Sequence, residues 1–171
     1  MATLDDLRQR ILDWAKDIRL NLDAVISRSS LAPAEAQGAA LAAAFAANSR
    51  DLVQALREGM DPKDAEAALT AASLMGMNNV WYPFVEMAGD EELKTMRAEL
   101  RMNAYATHGG VSKRQFETCA LAASIVGKCH FCVQSHYKLL KEEGLTTQNL
   151  RDVGRIAAVV QAAANVLVQV G

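Results

Sequence analysis

Alanine dominates this chain, prolines number only three, and no run of β-branched residues alternates with polar ones, so the backbone is left with helix as its only regular option. The chain reads as all-α, with strand content near zero. Its apolar residues recur at helical spacing instead. Leu4, Leu7, Ile11, Trp14 and Ile18 trace one face of a first helix running from Thr3 to residue 18, with Thr3 as its cap and Asp5 and Asp6 in the opening turn.

The remaining punctuation places the other elements. A second helix is expected over residues 21–28. Pro33, with Glu35 behind it, opens a helix to about residue 47, and another follows over 49–58, ended by Gly59. Asp61 caps and Pro62 begins the next, which is expected to break near Met77-Asn78-Asn79; Pro83, inside Trp81-Tyr82-Pro83-Phe84, forbids a regular helix there. Beyond lie a short helix over 93–101, a loop at His108-Gly109-Gly110, and a helix capped by Ser112 and interrupted at Gly127-Lys128. A further helix runs from the cysteines to Glu143, stopped by Gly144, and a last long one over 148–168 is capped by Thr146 or Thr147. The expected product is one helical domain, 1–171, of eight or nine elements.

Residues 39–44 with Val53-Gln54 echo residues 119–124 with Val133-Gln134, which predicts an internal duplicated helical unit over about 35–80 and 115–166. In that register Ser49 and Leu52 stand where Cys129 and Cys132 stand. Only the second copy is chemically armed.

A chain of 171 residues buries roughly 70% of its unfolded surface and needs no staple for stability. Its net charge of −2 and 22% charged residues provide no basic excess, so nucleic acid is not an expected partner. The first residues are acidic where an export signal would be basic, and the apolar stretches 38–48 and 156–168 are alanine-rich, the second interrupted by Gln161 and Asn165; neither export nor a membrane span is expected. Three cysteines in such a chain point to a reducing cytoplasm, where a C-x-x-C pair is more often catalytic or metal-binding than structural.

That pair is Cys129-His130-Phe131-Cys132, with His136 following. On a helix, Cys129, Cys132 and His136 stand at i, i+3 and i+7, along one face. A break at Gly127-Lys128 puts both cysteines in the first turn of a new helix, where the dipole stabilises a thiolate. His136 can take a proton from Cys132, and Glu117, on the preceding helix, can orient the imidazole. Such a dithiol can reduce a peroxide through a sulfenic acid, or a disulfide through a mixed disulfide, and close to a Cys129–Cys132 bond.

The pattern Glu117-x11-Cys129-x-x-Cys132-x-x-x-His136, with Met77-Asn78-Asn79-Val80 upstream, resembles the alkyl hydroperoxide reductase D proteins of the carboxymuconolactone decarboxylase-like superfamily, over nearly the whole chain. The resemblance implies an all-helical fold assembled as a homotrimer, with no bound cofactor or metal. It implies reduction of organic hydroperoxides and recycling of a peroxiredoxin partner, alkyl hydroperoxide reductase C (AhpC). The electrons would come from dihydrolipoamide-type dithiols carried on a lipoylated dihydrolipoamide acyltransferase. By position, Cys132 would be the attacking cysteine that becomes a sulfenic acid, Cys129 the resolving partner and proton donor, and Glu117 and His136 the proton relay. One departure stands out: family members carry a histidine immediately before the second cysteine, whereas Phe131 stands there and His130 one place earlier, a change that bears on proton transfer and redox potential.

Blander readings compete. Two cysteines can be small core hydrophobes, a zinc site lacks its remaining ligands, and a glutamate near a helix start is ordinary capping chemistry. Cys119 reads as core, and His108 and His130 as solvated. Met75, Met77, Trp81, Tyr82, Phe84 and Met87 read as core or subunit interface. A decarboxylating lyase using His136, and a non-catalytic redox sensor, are the alternative functions.

Overall fold

The computed structural model describes residues 2–171. Among them the chain forms ten α-helices: α1 (Leu4–Arg10), α2 (Lys16–Ser27), α3 (Pro33–Ala46), α4 (Arg50–Glu58), α5 (Pro62–Ala88), α6 (Glu91–Thr95), α7 (Asn103–Ala106), α8 (Lys113–Gly127), α9 (His130–Glu142) and α10 (Thr147–Val170). Single 3-10 turns lie at Asp13–Ala15 and His108–Gly110, and no described residue is in a strand. The caps read from the sequence form. Asp61 Oδ1 accepts the Lys63 N–H (2.9 Å), Ser112 Oγ that of Gln115 (3.1 Å), and Thr146 Oγ1 that of Asn149 (3.1 Å).

Small side chains explain the centre of the bundle. Ala39, Ala40, Ala42 and Ala43 of α3, which packs on α8, α5 and α10, are inaccessible to solvent, as are Ala120, Ala122 and Ala123 of α8. These small side chains leave room for the two helices to pack against one another. Gly38 takes this to its limit, since a Cβ there would lie 2.8 Å from Cys119 Sγ. Helices α5 and α10 pack against this pair from either side, and α9 lies on α8 and α5. Helix α10 is long and apolar enough to cross a membrane by length and composition. In the bundle it packs on α2, α3 and α8, with Leu150, Val153, Ile156, Val160 and Ala163 buried.

Four local expectations are corrected. The first helix does not run to residue 18: it stops at Arg10, because Ile11 and Leu12 turn extended so that Ile11 can be buried, leaving Trp14 66% exposed. Helix α2 accordingly starts at Lys16 rather than at residue 21. Helix α5 neither breaks at Met77-Asn78-Asn79 nor yields to Pro83, but continues to Ala88 and ends at a left-handed Gly89. The proline forfeits one N–H bond to the Asn79 carbonyl, at a cost of about 3 kcal/mol; packing on α8 and α9 holds the helix through it. The helix expected over 93–101 is only Glu91–Thr95, since Met96 turns extended and residues 96–102 form no helix.

One buried charge ties the N-terminal third to α10. Asp152 is 2% exposed, and its Oδ2 accepts the Ser30 N–H at 2.8 Å while Oδ1 meets the guanidinium groups of Arg151 (3.0 Å) and Arg155 (3.2 Å). Burial alone would push this carboxyl upward, but the Ser30 and arginine hydrogen bonds outweigh it and hold it well below the usual carboxylate range. A carboxyl depressed in the folded state contributes stability that is present above its ordinary value and lost as pH falls toward the folded one. Asp152→Ala is therefore expected to cost roughly 2–3 kcal/mol near neutral pH. In urea titrations, the difference from the wild type should shrink as pH drops below about 4.

Candidate active site

The end of α8 sets the position of the cysteines. Lys128 adopts a left-handed conformation (φ 54°), its N–H turning back to the carbonyls of Ser124 and Ile125, so the chain reverses before α9 can begin. Cys129 is then the N-cap of α9. Its Sγ accepts the Cys132 N–H at 3.3 Å, and the two sulfurs are joined as a disulfide with Cα atoms 5.3 Å apart. Ser49 caps α4 in the same way, with Oγ accepting the Leu52 N–H at 3.5 Å. A stabilising dipole acts on both cysteines from this first turn.

Helix α5 forms the opposite wall. The Asn78 carbonyl lies 3.8 Å from Cys129 Sγ and 3.6 Å from Cys132 Sγ. The next residue, Asn79, donates from Nδ2 to the Ala123 carbonyl at 3.1 Å. Its side chain occupies the space that a Cβ on Gly127 would fill, 2.1 Å from Nδ2. The Asn78-Asn79 pair thus packs α5 onto the α8–α9 junction, and Gly127 is the residue that leaves room.

Behind the sulfurs lies a buried polar chain. Glu117 is inaccessible to solvent; its Oε2 is 2.5 Å from His136 Nδ1, and its Oε1 accepts the Tyr105 hydroxyl. The other imidazole nitrogen, Nε2, sits 3.1 Å from Met75 Sδ. Burial works against the Glu117 charge, yet the hydrogen bonds from His136 and Tyr105, with the nearby charges of His136 and His108, hold the carboxyl below its usual range. The Tyr105 phenol moves the other way, raised by burial and by the Glu117 carboxylate.

The four candidate residues therefore arrive as two bonded pairs, Cys129–Cys132 at the start of α9 and Glu117–His136 bridging α8 and α9. Glu117 is no cap: it lies in the second turn of α8 with both oxygens engaged. His136 meets Glu117 through Nδ1 and lies against Met75 Sδ through Nε2, and it is hydrogen-bonded to neither cysteine sulfur. His108, expected in solvent, packs with its ring 5.9 Å from that of Phe116. Asn78 belongs to the upstream motif that carries the resemblance, whereas Met75 and above all Tyr105 join the site without any spacing that announces them. Cys119 is a core thiol; burial pushes it up to about 12.

A cleft of about 370 Å³ opens onto this chain, lined by Asn78, Tyr82, Met102, Tyr105, Ala106, Phe131, Cys132, Ser135 and His136. Cys132 reaches it and Cys129 does not. Phe131 stacks on Tyr82, ring centres 4.2 Å apart, and this pair separates the cleft from a second one of about 520 Å³ lined by His130, Trp81 and Leu93. His130 points away from Cys132, its Nδ1 3.5 Å from Glu86 Oε1. Among the described residues no three His, Cys, Asp or Glu side chains are grouped to hold a metal ion.

Residues 91–170 match the carboxymuconolactone decarboxylase family. Over most of its length the chain is also similar to proteins named alkyl hydroperoxide reductase AhpD. That of Rhodospirillum centenum is 41% identical, covering 96% of this chain and 90% of the relative. The relative in Rhodopseudomonas palustris is 40% identical (95% and 91% covered), and that in Brucella canis 39% (95% and 94%). The chain belongs to the AhpD family. Within it, the residue between His130 and Cys132 is an aromatic wall rather than a titratable group, because Phe131 is committed to its stack on Tyr82.

Proposed function

We propose that this AhpD-family chain is a thiol-dependent hydroperoxide reductase, with the Cys129–Cys132 pair as its redox centre. The observation that carries the reading is the placement of Cys132 on the cleft, in the first turn of α9, with His136 one turn further on and held by Glu117 of α8. The names of the relatives support the substrate.

In the dithiol state, His136 accepts the Cys132 proton at Nε2, directly or through water, while Glu117 on Nδ1 stabilises the resulting imidazolium. The thiolate attacks the terminal oxygen of an organic hydroperoxide: an S–O bond forms, the O–O bond breaks, and the departing alkoxide takes a proton to leave as the alcohol. The Cys129 thiol then attacks the Cys132 sulfenic acid, forming the disulfide and releasing water. A dithiol of the dihydrolipoyl type, presented by a lipoylated acyltransferase, returns the pair to the reduced state by exchange. The same exchange run toward AhpC would recycle that peroxiredoxin. A homotrimer working in a reducing cytoplasm completes the proposal; exposed apolar residues on α5, Val80 (70%), Phe84 (48%) and Met87 (79%), support burial against further copies.

Mass spectrometry tests the cycle. After dihydrolipoamide and then one equivalent of cumene hydroperoxide, the wild type should lose two hydrogens, and Cys129→Ser should trap one oxygen on Cys132. No mass change in either protein would remove the reading. A lyase using His136 would become the reading to pursue, being favoured by the match of residues 91–170.

A further inference from the structure

We propose that Tyr105 is a positioning residue for the Glu117–His136 pair, fixing the rotation of the buried carboxylate so that one oxygen faces the imidazole and the other is permanently occupied. This rests on the proton-relay reading of Glu117 and His136.

A carboxylate with one partner can turn about its terminal torsion, which is broad and nearly two-fold. Glu117 has a partner on each oxygen: His136 Nδ1 on Oε2 and the Tyr105 hydroxyl on Oε1. The phenol can only donate here, because burial and the neighbouring carboxylate raise it and keep it protonated. Its own position is over-determined. The Tyr105 ring meets Phe116 edge-on (5.5 Å between centres, 86°). The turn that follows α7 is seated on α5 by Gly109, at φ +59°, where a Cβ would lie 2.8 Å from Ala67 Cα. Tyr105 also lines the cleft that Cys132 faces, so one side chain touches both the substrate space and the buried carboxylate.

Glu117 faces His136 from α9, Tyr105 from α7 and His108 from the turn at His108–Gly110. Helix α5 contributes Met75, which does not titrate. Losing the phenol donor makes the carboxylate easier to protonate, and a protonated Glu117 no longer supports the imidazolium. The acid limb of Cys132 reactivity should therefore move to higher pH.

The test is the pH dependence of Cys132 alkylation by iodoacetamide in reduced protein carrying Cys129→Ser. With Cys119 buried in the core, this reads one thiol and needs no peroxide turnover. Tyr105→Phe keeps the ring and its packing. It should raise the midpoint by roughly one pH unit, the equivalent of one hydrogen bond. Glu117→Gln should raise the midpoint at least as far, and adding Tyr105→Phe to it should shift it no further. If Tyr105→Phe leaves the midpoint at the wild-type value while Glu117→Gln moves it, the positioning role is overturned and the relay stands. If Glu117→Gln also leaves it unmoved, the relay fails and the inference with it.

Discussion

Cys132→Ser is expected to lower the turnover of cumene hydroperoxide by at least about 10³-fold, a loss of roughly 4 kcal/mol in transition-state stabilisation. Serine has almost the same shape, so α9 should keep its first turn and the fold its stability. What disappears is a nucleophile that ionises at accessible pH. Cys129 cannot stand in, because it is inaccessible and lies outside the cleft. Cys119→Ser supplies the control: its thiol is enclosed between α3 and α8, pushed up to about 12, and should be dispensable for rate. Hydroperoxide loss at the wild-type rate in the Cys132 variant would sink the redox assignment.

Glu117→Gln carries the second largest effect. The amide keeps the volume but loses the charge opposite His136, so kcat/KM for hydroperoxide should fall about 10²- to 10³-fold. Stability should respond in a defined direction. Glu117 is held below its ordinary range in the folded state, so its charge contributes stability above about pH 4.5 that is lost as pH falls further. The glutamine variant should be less stable than the wild type at pH 7, and the gap should narrow in thermal melts toward pH 4. A full wild-type rate in this variant would detach the carboxylate from the chemistry and leave it a structural group.

Much of this architecture is written in short-range signals. Alanine-rich helical periodicity excludes strands, and Asp61, Ser112 and Thr146 cap the helices they precede because capping needs only a side-chain oxygen three residues or fewer from an unpaired N–H. The break before α9 was legible from Gly127-Lys128 as well. Failures came where tertiary packing overrode a local rule. Ile11 left the helix to enter the core, and Pro83 stayed inside α5 because flanking helices compensate for one missing hydrogen bond.

The site divides along the same line. Cys132 and His136 lie one helical turn apart on α9, so their shared face follows from helix geometry alone, while Cys129 precedes the helix as its cap. Local residue pattern suffices for an all-helical chain with a dithiol at a helix start and a histidine one turn on. It took the packed fold to place Cys132 rather than Cys129 on the cleft, to bury both oxygens of Glu117 and to bring Tyr105 and Met75 to the site. The physical reason is that these contacts join residues from separate helices, whose juxtaposition depends on how α5, α8 and α9 pack, and no periodicity along one chain segment encodes that packing.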